Sequence, residues 1–199
     1  VDVAQLLEIE SGEKLKDLLK ELGGFIRALG FKGSGQNFRK TEVDFVFVIN
    51  IQGCRTGDVF FINLGAQPVF VPAECDAALA TLKEHECIMR SRVGREWPWA
   101  LPSDSVAVLK CEIETAQDEF FGRMRTMRTI ISSEPVEQLI QKFSAGTTPA
   151  RTALHLARVA FALGHRDSAM ALVEHGLAIA SERATALIYD LKAVRQAAM

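Results

Sequence analysis

Asn50, Gln52 and Asn63 interrupt two runs that are otherwise almost wholly apolar, in the stretch VDFVFVINIQGCRTGDVFFINLG at residues 43–65. A side-chain amide carries both donor and acceptor, and leaving one unpaired in such surroundings costs about 1 to 3 kcal/mol. These amides therefore either bond one another and nearby backbone, or line a groove whose ligand supplies their partners. Arg90 and Arg92 stand two apart and so share a face of an extended strand. Two guanidiniums beside amides hold a carboxylate or phosphate in bidentate fashion; the structural alternative is pairing with the chain's own Asp and Glu. Internal fastening is the expected role of the amides.

Trp97 and Trp99 complete the candidate binding set, as an aromatic platform for a sugar or peptide. Pro98 keeps them extended, and the expectation is rings on opposite sides with one capping the core. His85 and Cys87 invite a thiol-nucleophile or metal reading, with Cys75 ten residues before His85. A nucleophile also needs oxyanion donors and a group orienting the base, and neither is legible; a buried Cys87 beside a surface His85 is expected. Cys54, Cys75, Cys87 and Cys111 show no C-x-x-C spacing, which argues against a zinc knuckle or redox pair. His155, His165 and His175 recur every ten residues and read as surface groups. The run GRMRTMR, with Arg123, Arg125 and Arg128, lacks stacking aromatics and reads as a solvated face. No Walker loop, G-x-G-x-x-G, H-E-x-x-H or G-x-S-x-G occurs. No catalytic, cofactor-binding or metal-ligating residue is assigned, and no cofactor is expected.

The elements that position these residues follow from periodicity. Leu6, Leu7, Leu15, Leu18, Leu19, Leu22, Phe25, Ile26 and Leu29 describe an N-terminal helix, with Ser11 and Gly12 able to separate a first turn and Gly30 ending it. A short strand over residues 36–41 leads into two alternating strands. Phe45, Phe47, Ile49 and Ile51 form one face with Phe60, Ile62 and Leu64. A four-residue loop at 53–56 would pair Ile49 with Phe60, Phe47 with Ile62 and Phe45 with Leu64, against the N-terminal helix. The opposite face would place Asn50 beside Val59, Val46 beside Asn63 and Val48 beside Phe61, under a covering loop such as residues 96–102. A helical segment at 73–84 and a fourth strand at 87–93 follow. From Ser103 the spacing fits helix, and SSEPVEQLIQKF is a further helix with Ser133 as cap. After the linker SAGTTPA, residues 151–163 and 168–199 read as a helical hairpin about 164–167. Its small residues, Ala157, Gly164, Ala169 and Gly176, are spaced as in a tetratricopeptide unit.

In order, LGFKGSGQNFRK, VINIQGC, FFINLG, ECIMRSRVG and REWPW resemble the bacterial domain-of-unknown-function family DUF4304 over residues 15–143. The strongest elements are Gly30 with Phe31, Phe38, Asn50 with Gln52, Asn63 with Gly65, Cys87 with Arg90 and Arg92, and Trp97 with Trp99. The resemblance implies an α+β fold, a helix across a four-stranded antiparallel sheet with helices following, and no catalytic residues. The organisation expected is an α+β domain at 1–145 and a helical appendage at 146–199.

The chain has 199 residues, 48% of them hydrophobic, 24% charged and twelve of them Phe, which fits a folded domain with a sizeable core. A formal net charge of −2 gives no general attraction to phosphate backbones or anionic lipid. No apolar run approaches the roughly 20 residues that span a bilayer, and the N-terminus lacks the order of a secretory leader. The expectation is a cytoplasmic, non-enzymatic protein-binding domain, of inhibitor or immunity type, with another protein as partner and neither membrane nor nucleic acid. Two alternatives stand beside it. One is an enzyme acting on an anionic small substrate near Arg90 and Arg92; the other is a scaffold that dimerises through its C-terminal helices.

Overall fold

Five strands in chain order make one antiparallel sheet: β1 (Lys32–Ser34), β2 (Asn37–Thr41), β3 (Phe45–Gly53), β4 (Val59–Pro68) and β5 (Met89–Pro98). The computed structural model describes residues 3–55, 57–73, 76–144 and 146–199, with side chains from residue 15 onward. The expectations placed on the side chains of Leu6, Leu7 and Ser11, and on Thr56 and Cys75, lie outside the described residues. Six helices surround the sheet among the described residues: α1 (Val3–Ala28), α2 (Ser103–Ile130), α3 (Val136–Phe143), α4 (Pro149–Ala162), α5 (Arg166–Ile179) and α6 (Thr185–Ala198). The α+β class and the antiparallel sheet agree with the sequence. The sheet has five strands where four were expected, because FKGSGQ folds back as β1 and pairs Ser34 with Asn37. α1 also runs through Ser11 and Gly12 without the expected break.

Alternation correctly assigns the faces but not the pairing. Ile49 lies opposite Leu64 and Ile51 opposite Ile62, with Gly53 opposite Phe60, so β4 is displaced by four residues from the expected register. An even displacement leaves every side chain on its own face. The loop is longer than four residues and closes with Cys54 N–H donating to Val59 C=O at 2.8 Å. Phe45, Phe47, Ile49, Ile51, Phe60, Ile62 and Leu64 are all buried together.

α2 is the principal cover of that face, correcting the expected role of α1. Its stripe of Val106, Leu109, Ile113, Phe120, Phe121, Met124 and Met127 is buried at helical spacing. Phe121 stacks on Phe47 with ring centres 4.4 Å apart. α1 adds Leu18, Leu22 and Ile26 to the core, with Gly23 beside the Phe38 ring. Lys110 on α2 bonds Glu21 on α1 at 2.6 Å.

The C-terminal region contains three helices where a hairpin was expected. The chain leaves helix at Ala180, whose ψ is 135°, and re-enters at Thr185. Small residues still set the closest approach: a Cβ on Gly176 would lie 3.0 Å from Leu191 and 3.1 Å from Ala153. α4 is buried on most sides and includes Thr152 and His155 among its buried residues. The surface role expected of His155 is therefore corrected, whereas His165 and His175 are half-buried. Ser133 bonds back to Ile130 C=O, and α3 starts after Pro135 without a side-chain cap.

The segment between β4 and β5 is not the expected helix at 73–84. Among the described residues it makes turns, with a 3-10 turn at Glu84–Glu86, and lays Leu82 and Cys87 onto Val46 and Val48 of the second sheet face. This segment, and not residues 96–102, is the cover. Gln67 fastens it: fully buried, its Nε2 donates to Val71 C=O at 2.7 Å and Pro68 C=O at 3.1 Å, while its Oε1 accepts from Ile88 N–H at 3.1 Å. Arg39 adds bonds to the carbonyls of Leu82 and, at 2.9 Å, Thr81.

Candidate functional site

The cover reaches only part of the second face, and the remainder is a polar cleft of about 670 Å³. Antiparallel pairing builds its floor. Asn37 lies opposite Asn50, Asn50 opposite Asn63, and Asn63 opposite Arg92, giving one transverse row across four strands. Directly opposite side chains on adjacent strands are near neighbours. The expected register would have separated Asn50 from Asn63; the observed one joins them.

The hydrogen bonds run along the row. Asn50 Nδ2 donates to Asn37 Oδ1 at 3.0 Å and to Gln36 C=O at 3.1 Å. Asn63 Nδ2 donates to Gln52 Oε1 at 2.8 Å, with Asn50 Oδ1 at 3.5 Å. Arg92 Nε donates to Asn63 Oδ1 at 3.0 Å, and the guanidinium lies 4.1 Å from the centre of the Phe61 ring. The amides thus bond one another, as the fastening reading expects, and they also line a cleft.

The walls are charged. Arg90 and Arg92 come from β5, Lys83, Glu84 and His85 from the end of the cover, and Gly146 from the linker before α4. Gly146 has φ +71°, and a Cβ there would lie 2.7 Å from Arg90 C=O, so only glycine lets the linker close against β5 in this way. Glu84 is the cleft's carboxylate. Burial raises its pKa above the usual carboxylate value, outweighing the opposing attraction of Arg90, His85 and Arg92. No carboxylate among the described residues lies within ion-pair distance of Lys83, Arg90 or Arg92. The GRMRTMR arginines differ: Arg125 meets Glu42 at 2.8 Å and Arg128 meets Asp44 at 2.6 Å.

Of the sequence candidates, Asn50, Gln52, Asn63, Arg90 and Arg92 converge on this cleft. Trp97 and Trp99 do not. Trp97 is 2% exposed and opposite Phe60, and Trp99 stacks on Phe60 with ring centres 4.4 Å apart. Both rings are on the core face, correcting the opposite-sides expectation, since residues two apart on an extended chain point the same way. Cys87 is buried and His85 exposed, as expected. Burial, reinforced by Glu84 and Glu86, drives the Cys87 thiol pKa far up, which removes its nucleophilic form. Asn37, Lys83, Glu84 and Gly146 were missed. Asn37 had a signal, as a fourth amide in the expected strands; Gly146 had none beyond linker composition. Among the described residues no group of three His, Cys, Asp or Glu side chains converges as a metal ion would need, and no helix is long and apolar enough to cross a membrane.

A family model described as "Domain of unknown function (DUF4304)" matches residues 22–131. The chain belongs to that family. No curated protein and no solved structure matches it.

Proposed function

For this member of the DUF4304 family we propose that the cleft on the second sheet face is a binding site for a small anion. The observation that carries this reading is the set of three cations, Lys83, Arg90 and Arg92, gathered around an amide floor with no carboxylate among the described residues in ion-pair contact. Fixed donors aimed into a cleft are the recognition chemistry of phosphate and carboxylate. The tail helices take part indirectly, through the linker glycine that closes the wall beside Arg90.

This reading takes the binding half of the enzyme alternative and leaves the reaction open. The inhibitor or immunity role proposed from the sequence would use the same face, with a partner protein supplying the anion. A dimerising role would instead use the tail, where Tyr189 is 74% exposed and Ile179 45% exposed.

The test is calorimetric titration of the whole chain with inorganic phosphate and citrate, beside Arg90→Gln and Arg92→Gln. Charge-assisted hydrogen bonds contribute about 1.5 to 3 kcal/mol, so each substitution should weaken binding by about 10- to 100-fold. An affinity unchanged by both substitutions, or no binding at millimolar anion, overturns the proposal.

A further inference from the structure

The cleft has two chemically different ends. At one, Lys83, Arg90 and Arg92 supply positive charge; at the other, the neutral amides Asn37 and Gln52 reach past Asn50 and Asn63. Gln52 uses Oε1 on Asn63, and Asn37 uses Oδ1 on Asn50. The amide nitrogens of Gln52 and Asn37 have no partner among the described residues, and Gln52 is exposed. β3 and β5 lie two strand spacings apart, about 10 Å. A bare phosphate occupies only the cationic end and leaves the amide donors to water.

We propose, resting on the anion-binding reading above, that the ligand is a phosphorylated sugar or polyol, its phosphate between Arg90 and Arg92 and its hydroxyls over Gln52 and Asn37. Three cations against one carboxylate favour a phosphate dianion over a monocarboxylate. Free amide N–H groups need acceptors, and a hydroxyl accepts there, which an apolar body cannot do. An aromatic base is disfavoured because no aromatic face among the described residues lies open to it in the cleft. Phe61 is already covered by the Arg92 guanidinium, and Trp97 and Trp99 pack on the other side of the sheet.

The experiment is titration of the whole chain with ribose 5-phosphate, glucose 6-phosphate, glycerol 1-phosphate, adenosine 5′-monophosphate and inorganic phosphate. At least one sugar or polyol phosphate should bind tenfold or more tighter than inorganic phosphate. Gln52→Ala and Asn37→Ala should erase that advantage, weakening the sugar or polyol phosphate at least tenfold more than inorganic phosphate, whereas Arg92→Gln weakens both alike. If inorganic phosphate binds through the arginines but no sugar or polyol phosphate exceeds it, this inference fails and the anion reading stands. If adenosine 5′-monophosphate exceeds every sugar phosphate tenfold, the base is the recognised body and the inference is overturned. If nothing binds, both readings fall together.

Discussion

Asn63 holds Arg92: its Oδ1 accepts from Arg92 Nε at 3.0 Å, which directs the remaining guanidinium donors toward the cleft while Phe61 supports the plane. Asn63 is 4% exposed, whereas Arg92 and Gln52 reach solvent. Replacing Asn63 by Leu strands few groups that water cannot reach, so the stability loss should fall near 1 kcal/mol, at the low end for a broken buried hydrogen bond. Anion affinity should drop with it, because Arg92 is no longer oriented. Urea unfolding beside titration separates the two effects; a large stability loss with unchanged affinity would assign Asn63 to fastening alone.

Gln67 is the more costly amide. It is 0% exposed and satisfies Val71 C=O, Pro68 C=O and Ile88 N–H at once. Gln67→Leu leaves Val71 C=O and Ile88 N–H without this partner where water does not reach, Pro68 C=O keeping Val71 N–H at 3.3 Å, and each stranded group costs about 1 to 3 kcal/mol. The loss measured by urea unfolding should therefore exceed that of Asn63→Leu by at least about 1 kcal/mol. Equal losses would mean that the cover segment does not depend on this side chain.

The contrast between these two amides shows what the sequence carried. Alternation put Asn50, Gln52 and Asn63 on one face, because strand period is blind to pairing and needs only local chemistry. It did not say which strand residues meet, since loop length decides that, and the actual register turned three dispersed amides into a row. The segment at 73–84 misled by composition: its Ala and Leu suit helix, but Leu82 and Cys87 must reach Val46 and Val48, and that tertiary demand prevailed. Similarly, Ala180 and Ala184 flank a break in the tail that no Gly or Pro announces. Arg90 and Arg92 were legible as a pair, while their enclosure by Gly146 depended on a linker whose contacts no local pattern encodes.

Gly65 lies beneath the cover, where a Cβ would come 2.7 Å from Cys87 Sγ and 3.2 Å from Glu84 Cα. Gly65→Ala should thus lift the 3-10 turn and cost about 1 to 3 kcal/mol as overpacking. Cys87→Ala removes the nearer obstacle, so Gly65→Ala combined with Cys87→Ala should be more stable than the sum of the single losses predicts. Strict additivity in thermal or urea unfolding would show that the two positions do not touch.

His155 provides a test of the tail's burial that needs no ligand. It is 2% exposed, and burial, aided by Arg158, Arg151 and Arg90, lowers its pKa to about 3. An unfolded histidine titrates near 6.5. Between those values the unfolded chain binds the additional proton, so this contribution to stability is complete above about pH 6.5 and is lost as pH falls toward the folded value. The slope is about 1.4 kcal/mol per pH unit, so lowering pH from 6.5 to 5 should cost wild type about 2 kcal/mol that His155→Gln does not lose. Taking the difference between the two proteins cancels carboxylates such as Glu84 and Glu42, whose shifts run in opposite directions. Urea unfolding of both at pH 7, 6 and 5 is the measurement. Parallel pH dependence would mean that the His155 ring titrates freely, and that α4 is not buried as described.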